Sequence, residues 1–276
     1  MKKILSFILS LSVGVSVFAM DIFSYVPISG NVKNYTQIDY SITTKFGNYF
    51  RTPNYKTVNI LDATNKIAEI TELTPRDSLI TKTVNTYDIK GKLINQVITD
   101  SDEKLICKVV NTYKDDKLVD SSEYATGDVL RAKVVYTYNG NLLVDETAYS
   151  GEGSLTWKII YKYDDLGRKS TVSQYAQDGT LDERYTYEYM EDGKVKNELY
   201  YDNISAKSVQ NSFRYSNAGV LTDVITYDES RKMIKRVVLK YDSVGNITKI
   251  SEYDVLDKFD TVVNELVSMV DYTYQY

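Results

Sequence analysis

From about residue 83 to the C-terminus, apolar and aromatic side chains alternate with polar ones at a period of two. Over residues 132–138, Ala132, Val134, Tyr136 and Tyr138 share one face, and Lys133, Val135 and Thr137 share the other. Residues 157–163 divide the same way, with Trp157, Ile159, Tyr161 and Tyr163 set against Lys158, Ile160 and Lys162. Alternation of this kind belongs to half-buried strands, and the β-branched and tyrosine-rich composition agrees. The strands recur. Anchor tyrosines stand at Tyr87, Tyr113, Tyr138, Tyr163, Tyr189, Tyr215 and Tyr241, with gaps of 26, 25, 25, 26, 26 and 26 residues. A second series, Tyr124, Tyr149, Tyr175, Tyr201, Tyr227 and Tyr253, follows the anchors by 11 or 12 residues. Two registers that hold one period define a repeat array.

Turn chemistry links the strands. Glycine falls four residues after the anchor at Gly91, Gly167, Gly193, Gly219 and Gly245, where a short hairpin loop needs a left-handed backbone. All three prolines (Pro27, Pro53, Pro75) precede the array, as strands that need their N–H groups for ladder bonds require. The pattern predicts an all-β antiparallel meander of 25–26-residue hairpins with fourteen or so strands. That number exceeds what an open twisted sheet carries flat, so the expected form is a curled or spiral, largely single-layer sheet. Asp120, Asp145, Asp223 and Lys249 are expected on the tyrosine face of the return strands, which argues against a thick aliphatic core.

The stretches Tyr163-Asp164-Asp165-Leu166-Gly167-Arg168 and Tyr241-Asp242-Ser243-Val244-Gly245-Asn246 resemble the YD repeats of RHS-type bacterial surface and toxin-shell proteins. The resemblance spans roughly the last two thirds of the chain. It departs from the motif at Lys114, Asn139 and Ser216, which replace the aspartate. It implies a spiralling β-sheet and no catalytic residues.

The remainder of the chain sets compartment and boundaries. Lys2 and Lys3, an apolar run over residues 4–18, and the ending Val17-Phe18-Ala19 form a signal peptide over 1–19 with cleavage after Ala19. Residues 20–58 lack the repeat spacing and are read as an N-terminal cap, with a strand expected over 34–43. Residues 59–276 form the repeat domain, with a degenerate first copy in which Ile60 stands 27 residues before Tyr87. Tyr272 and Tyr274 repeat the anchor pattern in an altered last hairpin. The location expected is the periplasm, the cell surface or the medium. Cleavage takes the formal charge from −5 to −7 by removing Lys2 and Lys3, which disfavours nucleic acid and anionic membrane surfaces as partners. Cys107 is the single cysteine and reads as a packed side chain.

Histidine is absent, which removes Ser-His and Cys-His nucleophiles and histidine metal sites. The carboxylate pairs Asp115-Asp116, Asp164-Asp165 and Glu191-Asp192 occupy turn slots, where aspartate bonds the local backbone. No enzyme, cofactor or metal is expected. What remains are 26 tyrosines against 7 phenylalanines. Tyr136, Tyr138, Tyr161, Tyr163, Tyr187 and Tyr189 would form a continuous strip, either a structural ladder or a surface that contacts a protein or a glycan. The expectation is an exported binding or scaffold module. The alternative is an outer-membrane β-barrel, whose assembly signal the C-terminal alternation Val270, Tyr272, Tyr274, Tyr276 resembles.

Overall fold

The computed structural model describes residues 22–258 and 261–276; the expected signal peptide lies outside them. A single turn of helix, α1 (Ile22–Tyr25), precedes an unbroken series of strands. The first three are β1 (Asn34–Lys45), β2 (Asn48–Leu61) and β3 (Ile67–Leu73). Seven hairpins follow, each starting on a strand that ends at or next to an anchor tyrosine. They are β4 (Leu79–Tyr87) with β5 (Leu93–Asp100), β6 (Leu105–Lys114) with β7 (Lys117–Ala125), and β8 (Val129–Asn139) with β9 (Leu142–Ser150). Next come β10 (Leu155–Tyr163) with β11 (Lys169–Ala176), and β12 (Leu181–Tyr189) with β13 (Val195–Asp202). Then β14 (Lys207–Tyr215) pairs with β15 (Leu221–Tyr227), β16 (Met233–Tyr241) with β17 (Ile247–Lys258), and β18 (Thr261–Gln275) completes the series.

Each strand pairs antiparallel with its neighbours in sequence, and β1 also pairs with β18, from Asn34↔Gln275 to Ser41↔Ser268. The single-layer meander is therefore closed into a barrel of 18 strands. The tyrosine period marks the fourteen strands of the seven hairpins. The other four, β1, β2, β3 and β18, lie where that spacing lapses. The degenerate copy is offset by one residue from expectation. Leu61, paired with Ile67 and 7% exposed, takes the anchor position, while Ile60 is 41% exposed.

One device repeats around the wall. The ladder of each of the seven hairpins slips at its anchor tyrosine, as where Lys162 pairs with Thr171 but Tyr163 pairs with Lys169. The extra residue reverses the side-chain alternation between the turn and the body of the return strand. The turn aspartate caps the loop. Asp164 Oδ1 accepts the N–H groups of Leu166 and Arg168, and Asp88, Asp100, Asp228 and Asp242 do the same two and four residues on. The Arg168 N–H bond and its companions hold the Asp164 carboxyl below the usual range, and the Ser230 hydroxyl, with the backbone bonds, does the same for Asp228. Gly167, with φ of 75°, supplies the left-handed step that closes the loop.

The anchor hydroxyls tie each hairpin to the one before it. Tyr87, Tyr113, Tyr163, Tyr189 and Tyr215 donate to the carbonyls of Ile67, Leu93, Leu143, Lys169 and Val195 at 2.6–3.0 Å. Tyr274 donates likewise to Ile247 at 2.9 Å, so β18 ends on an anchor of the same kind. The last turn residue of the preceding hairpin lies over the ring: Lys66 over Tyr87, Lys92 over Tyr113, Arg168 over Tyr189, Lys194 over Tyr215, at 4.5–5.7 Å. Each such contact contributes roughly 0.5–1 kcal/mol at a partly exposed site.

The anchors face inward. Phe23 of α1 packs against Tyr35 on β1 and Tyr272 on β18, while Tyr25 stacks on Phe213 of β14. Four to five strand spacings separate those contacts, about 19–24 Å along the wall. Two side chains so close in sequence reach both places only from the concave side. The segment from Ile22 to Val32 thus lies inside one end of the barrel. It packs against a cluster that includes Val224, Val237, Leu239, Ile250 and Val270, and is pinned by Ser29 N–H to Asn246 Oδ1 at 2.7 Å.

This orientation corrects the expectation for the return strands. Asp120, Asp145, Asp223 and Lys249 pair with outward residues and point away from the anchors, because the slip at each anchor tyrosine inverts the face. If the anchors clamp successive hairpins, Tyr163→Phe lowers stability by about 1 kcal/mol and Tyr163→Ala by about 3 kcal/mol. Urea unfolding followed by circular dichroism measures both; equal stability of Tyr163→Phe and wild type would refute the clamp.

Candidate functional site

The two faces of the wall differ in chemistry. Outward, lysine or arginine near the middle of a strand meets a carboxylate on its neighbour. Lys82 pairs with Glu69 at 2.8 Å, Lys133 with Asp120 at 3.7 Å, Lys158 with Asp145 at 2.5 Å and Lys249 with Asp271 at 2.9 Å, and Arg236 pairs with Asp223. Such exposed pairs contribute little stability. They do fix the medium the outer face can meet.

Inward, the wall is aromatic and carboxylic. Tyr136, Tyr138, Tyr161, Tyr163, Tyr187 and Tyr189 all lie on this face, on β8, β10 and β12. The structure brings them together with carboxylates that the sequence did not single out as a site. Glu146 stands between Tyr136 and Ile159 and accepts the Tyr161 hydroxyl at 2.6 Å. Glu183 accepts Tyr200 at 3.2 Å, and Tyr185 lies 4.9 Å from Tyr200, ring centre to ring centre. Glu198, opposite Tyr187, accepts Asn211 at 3.0 Å; Asn211 in turn accepts Thr226 at 2.8 Å. Further round the wall, Glu252 accepts Lys235 at 2.6 Å and Ser268 at 2.9 Å. The signal that could have found them is the alternation itself. Once the slip is placed at the anchor, Glu146, Glu198 and Glu252 fall on the tyrosine side.

Within the strip the six tyrosines have different tasks. Tyr163 and Tyr189 are committed to carbonyls through their hydroxyls. Lys117 lies over the Tyr138 ring at 5.6 Å. Tyr161 is 9% exposed, with Lys169 over its ring at 4.9 Å. Tyr187 has Glu198 and Tyr25 of the inserted segment as neighbours. Burial and the Glu146 carboxylate raise the Tyr136 hydroxyl well above the ordinary tyrosine range.

Burial raises the carboxyls of Glu146, Glu183 and Glu198 above the usual range, opposed only in part by their hydrogen bonds. Glu146 Oε2, Glu183 Oε1 and Glu123 Oε2 are buried with no hydrogen-bond partner. An orphaned buried acceptor costs on the order of 1–3 kcal/mol, so folding alone gives no reason to keep three. Cys107 is buried and its thiol is raised by burial. Among the described residues, no group of three acidic or cysteine side chains could hold a metal ion.

The sign of the glutamate effect is testable. A carboxyl raised in the folded state stabilises fully below its unfolded value, near 4.3, and that stability is lost as pH rises through the folded value. Glu198→Gln keeps an acceptor for Asn211 and cannot ionise. Its melting temperature therefore matches wild type near pH 4 and exceeds it at pH 8. A variant less stable than wild type at pH 8 would mean that the ionised carboxylate is itself engaged.

A family model described only as "Uncharacterised protein" matches residues 85–212. No curated protein matches. Among solved structures, a porin-like protein from Bacteroides uniformis is similar at 10% identity, over 90% of this chain and 98% of that one, with a TM-score of 0.49. A porin-like protein from Bacteroides vulgatus is similar at 13% identity, over 88% and 98%, with a TM-score of 0.43. The TcdB2-TccC3 structure is similar at 10% identity over 78% of this chain and 15% of that one, with a TM-score of 0.30.

Proposed function

We propose that this chain is an exported β-barrel of the bacterial cell envelope that stands in water and holds a ligand against its inner wall, without catalysis. The observation that carries this reading is the division of charge between the faces. A bilayer-spanning barrel needs an outward apolar band about 25 Å tall, and lysine or arginine at its middle costs about 2–4 kcal/mol each. Lys133, Lys158 and Arg236 stand outward near the centres of β8, β10 and β16. The anchor tyrosines face inward, where they serve a ligand, while Tyr149, Tyr175 and Tyr253 of the second series stand opposite Lys133, Lys158 and Arg236 on the outer face.

The ligand class that fits is a glycan. Sugar rings stack on tyrosine faces, while sugar hydroxyls meet Glu146, Glu183 and Asn211. A folded protein partner has no such access to a concave wall. The repeats read as YD-like units on the strength of their aspartate-capped turns.

A second reading, an outer-membrane barrel, is favoured by the closed, even-numbered meander. Against it, Val270, Tyr272 and Tyr274 point inward with the anchors, whereas a lipid-facing assembly signal would point outward. No helix among the described residues is long and apolar enough to cross a membrane, which leaves strands as the element in question.

The exported protein is expected to stay soluble without detergent, to give a β-rich circular dichroism spectrum and to show no heat-modifiable migration in gels. A chain that folds only in detergent belongs to the second reading. On a glycan array, Tyr136→Ala should weaken binding of whichever glycan the wild type retains by about tenfold, as loss of one stacking ring implies. Undiminished binding by that variant would move the ligand off the inner wall.

A further inference from the structure

The hairpin of β1 and β2 does not end at the rim of the barrel. β1 is tied to β18 only as far as Ser41, and β2 to β3 only from Lys56 onward. Beyond those points Ile42–Lys45 pair only with β2, and Asn48–Tyr55 only with β1. The tip therefore stands about 16 Å past the last residue held by the wall on the β1 side, at ~3.3 Å per residue.

Its chemistry is unlike that of the barrel. Phe46 at the apex is 101% exposed, Tyr49 50%, Phe50 53% and Tyr55 62%. From Tyr40 to Leu61 there is no acidic residue, while Lys45, Arg51 and Lys56 are basic, in a chain of net charge −5. Arg51 reaches back over the Tyr40 ring to Asp271, and Lys56 to Asp77. Lys45 flanks the apex.

The apex itself has no folding rationale. Phe46 and Gly47 form the two-residue turn with φ of 53° and 77°, the left-handed pair that asparagine or aspartate followed by glycine adopts with least strain. Phenylalanine there holds a large ring in water and in a backbone region that such residues avoid. Sheet addition at the open edges is disfavoured by Pro53, which lacks an N–H, and by the edge cations.

We propose that this hairpin is an interfacial anchor that inserts Phe46, with Tyr49 and Phe50 behind it, into a phospholipid surface bearing anionic headgroups. Aromatic rings beside lysine are what the headgroup boundary accommodates. The projection also holds Lys45 more than one Debye length of ~8 Å from the rim at physiological salt, so the acidic barrel's repulsion of the surface that the tip meets is screened. The proposal is independent of what the lumen holds.

The test uses the exported protein, vesicles of phosphatidylethanolamine with phosphatidylglycerol, and vesicles of phosphatidylcholine alone. Wild type should sediment with the first and more weakly with the second. Phe46→Asn removes the ring and relieves the turn, so it should melt at or above the wild-type temperature while its vesicle partitioning falls by about tenfold or more, the loss expected for one aromatic ring. Equal partitioning of Phe46→Asn, or no sedimentation of wild type with either vesicle, overturns the anchor. Equal binding to both vesicles overturns the anionic headgroup. A wild-type dimer that Phe46→Asn converts to monomer in analytical ultracentrifugation assigns the ring to a second copy of the chain and overturns the lipid.

Discussion

The seam between β1 and β18 is the constraint on which the rest depends. Its eight residue pairs, Asn34↔Gln275 to Ser41↔Ser268, join the two ends of the meander. They remove both free edges that an array of this length would otherwise present to other chains. They also create an inside. Without closure, Glu146, Glu183 and Glu198 would lie on one face of an open sheet and hydrate freely. With it they are crowded on a concave wall that raises their proton affinity.

Given the seam, the repeat acts as a wall unit with a division of labour. The turn aspartate and glycine end each hairpin, the slip at the anchor turns the return strand over, and the tyrosine hydroxyl fastens the unit to the one before it. The same slip sorts charge. It sends Asp120, Asp145 and Asp223 outward to meet Lys133, Lys158 and Arg236, and it turns Glu146 and Glu198 inward. A single extra residue per hairpin thus puts the ion pairs outward and the anchor tyrosines and buried glutamates inward, while the second tyrosine series, such as Tyr149 opposite Lys133, shares the outer face.

The two ends of the barrel are not equivalent. At the anchor end, the segment from Ile22 to Val32 sits inside, with Phe23 and Tyr25 among the tyrosines and Gly30 close to Val244 and Tyr276. At the other end, the β1–β2 hairpin projects with its rings in solvent. The strands that close the wall therefore also carry the one long aromatic projection among the described residues that has no packing partner at its apex.

By itself the sequence determined the units. Period-two alternation, the 25–26-residue tyrosine spacing and the turn glycines are local properties, so strands, hairpins and antiparallel order were legible from residues such as Tyr163, Asp164 and Gly167. In the structure the six tyrosines of the inner strip share one face. Two things were out of the sequence's reach. The slip at each anchor is a matter of how two strands pair, and counting parity through it put Asp145 and Lys249 on the wrong side. Closure depends on β1 meeting β18 across more than two hundred residues, a contact with no local signature. Only the tertiary structure decided that the tyrosine face is concave, and concavity turns scattered glutamates into a buried lining.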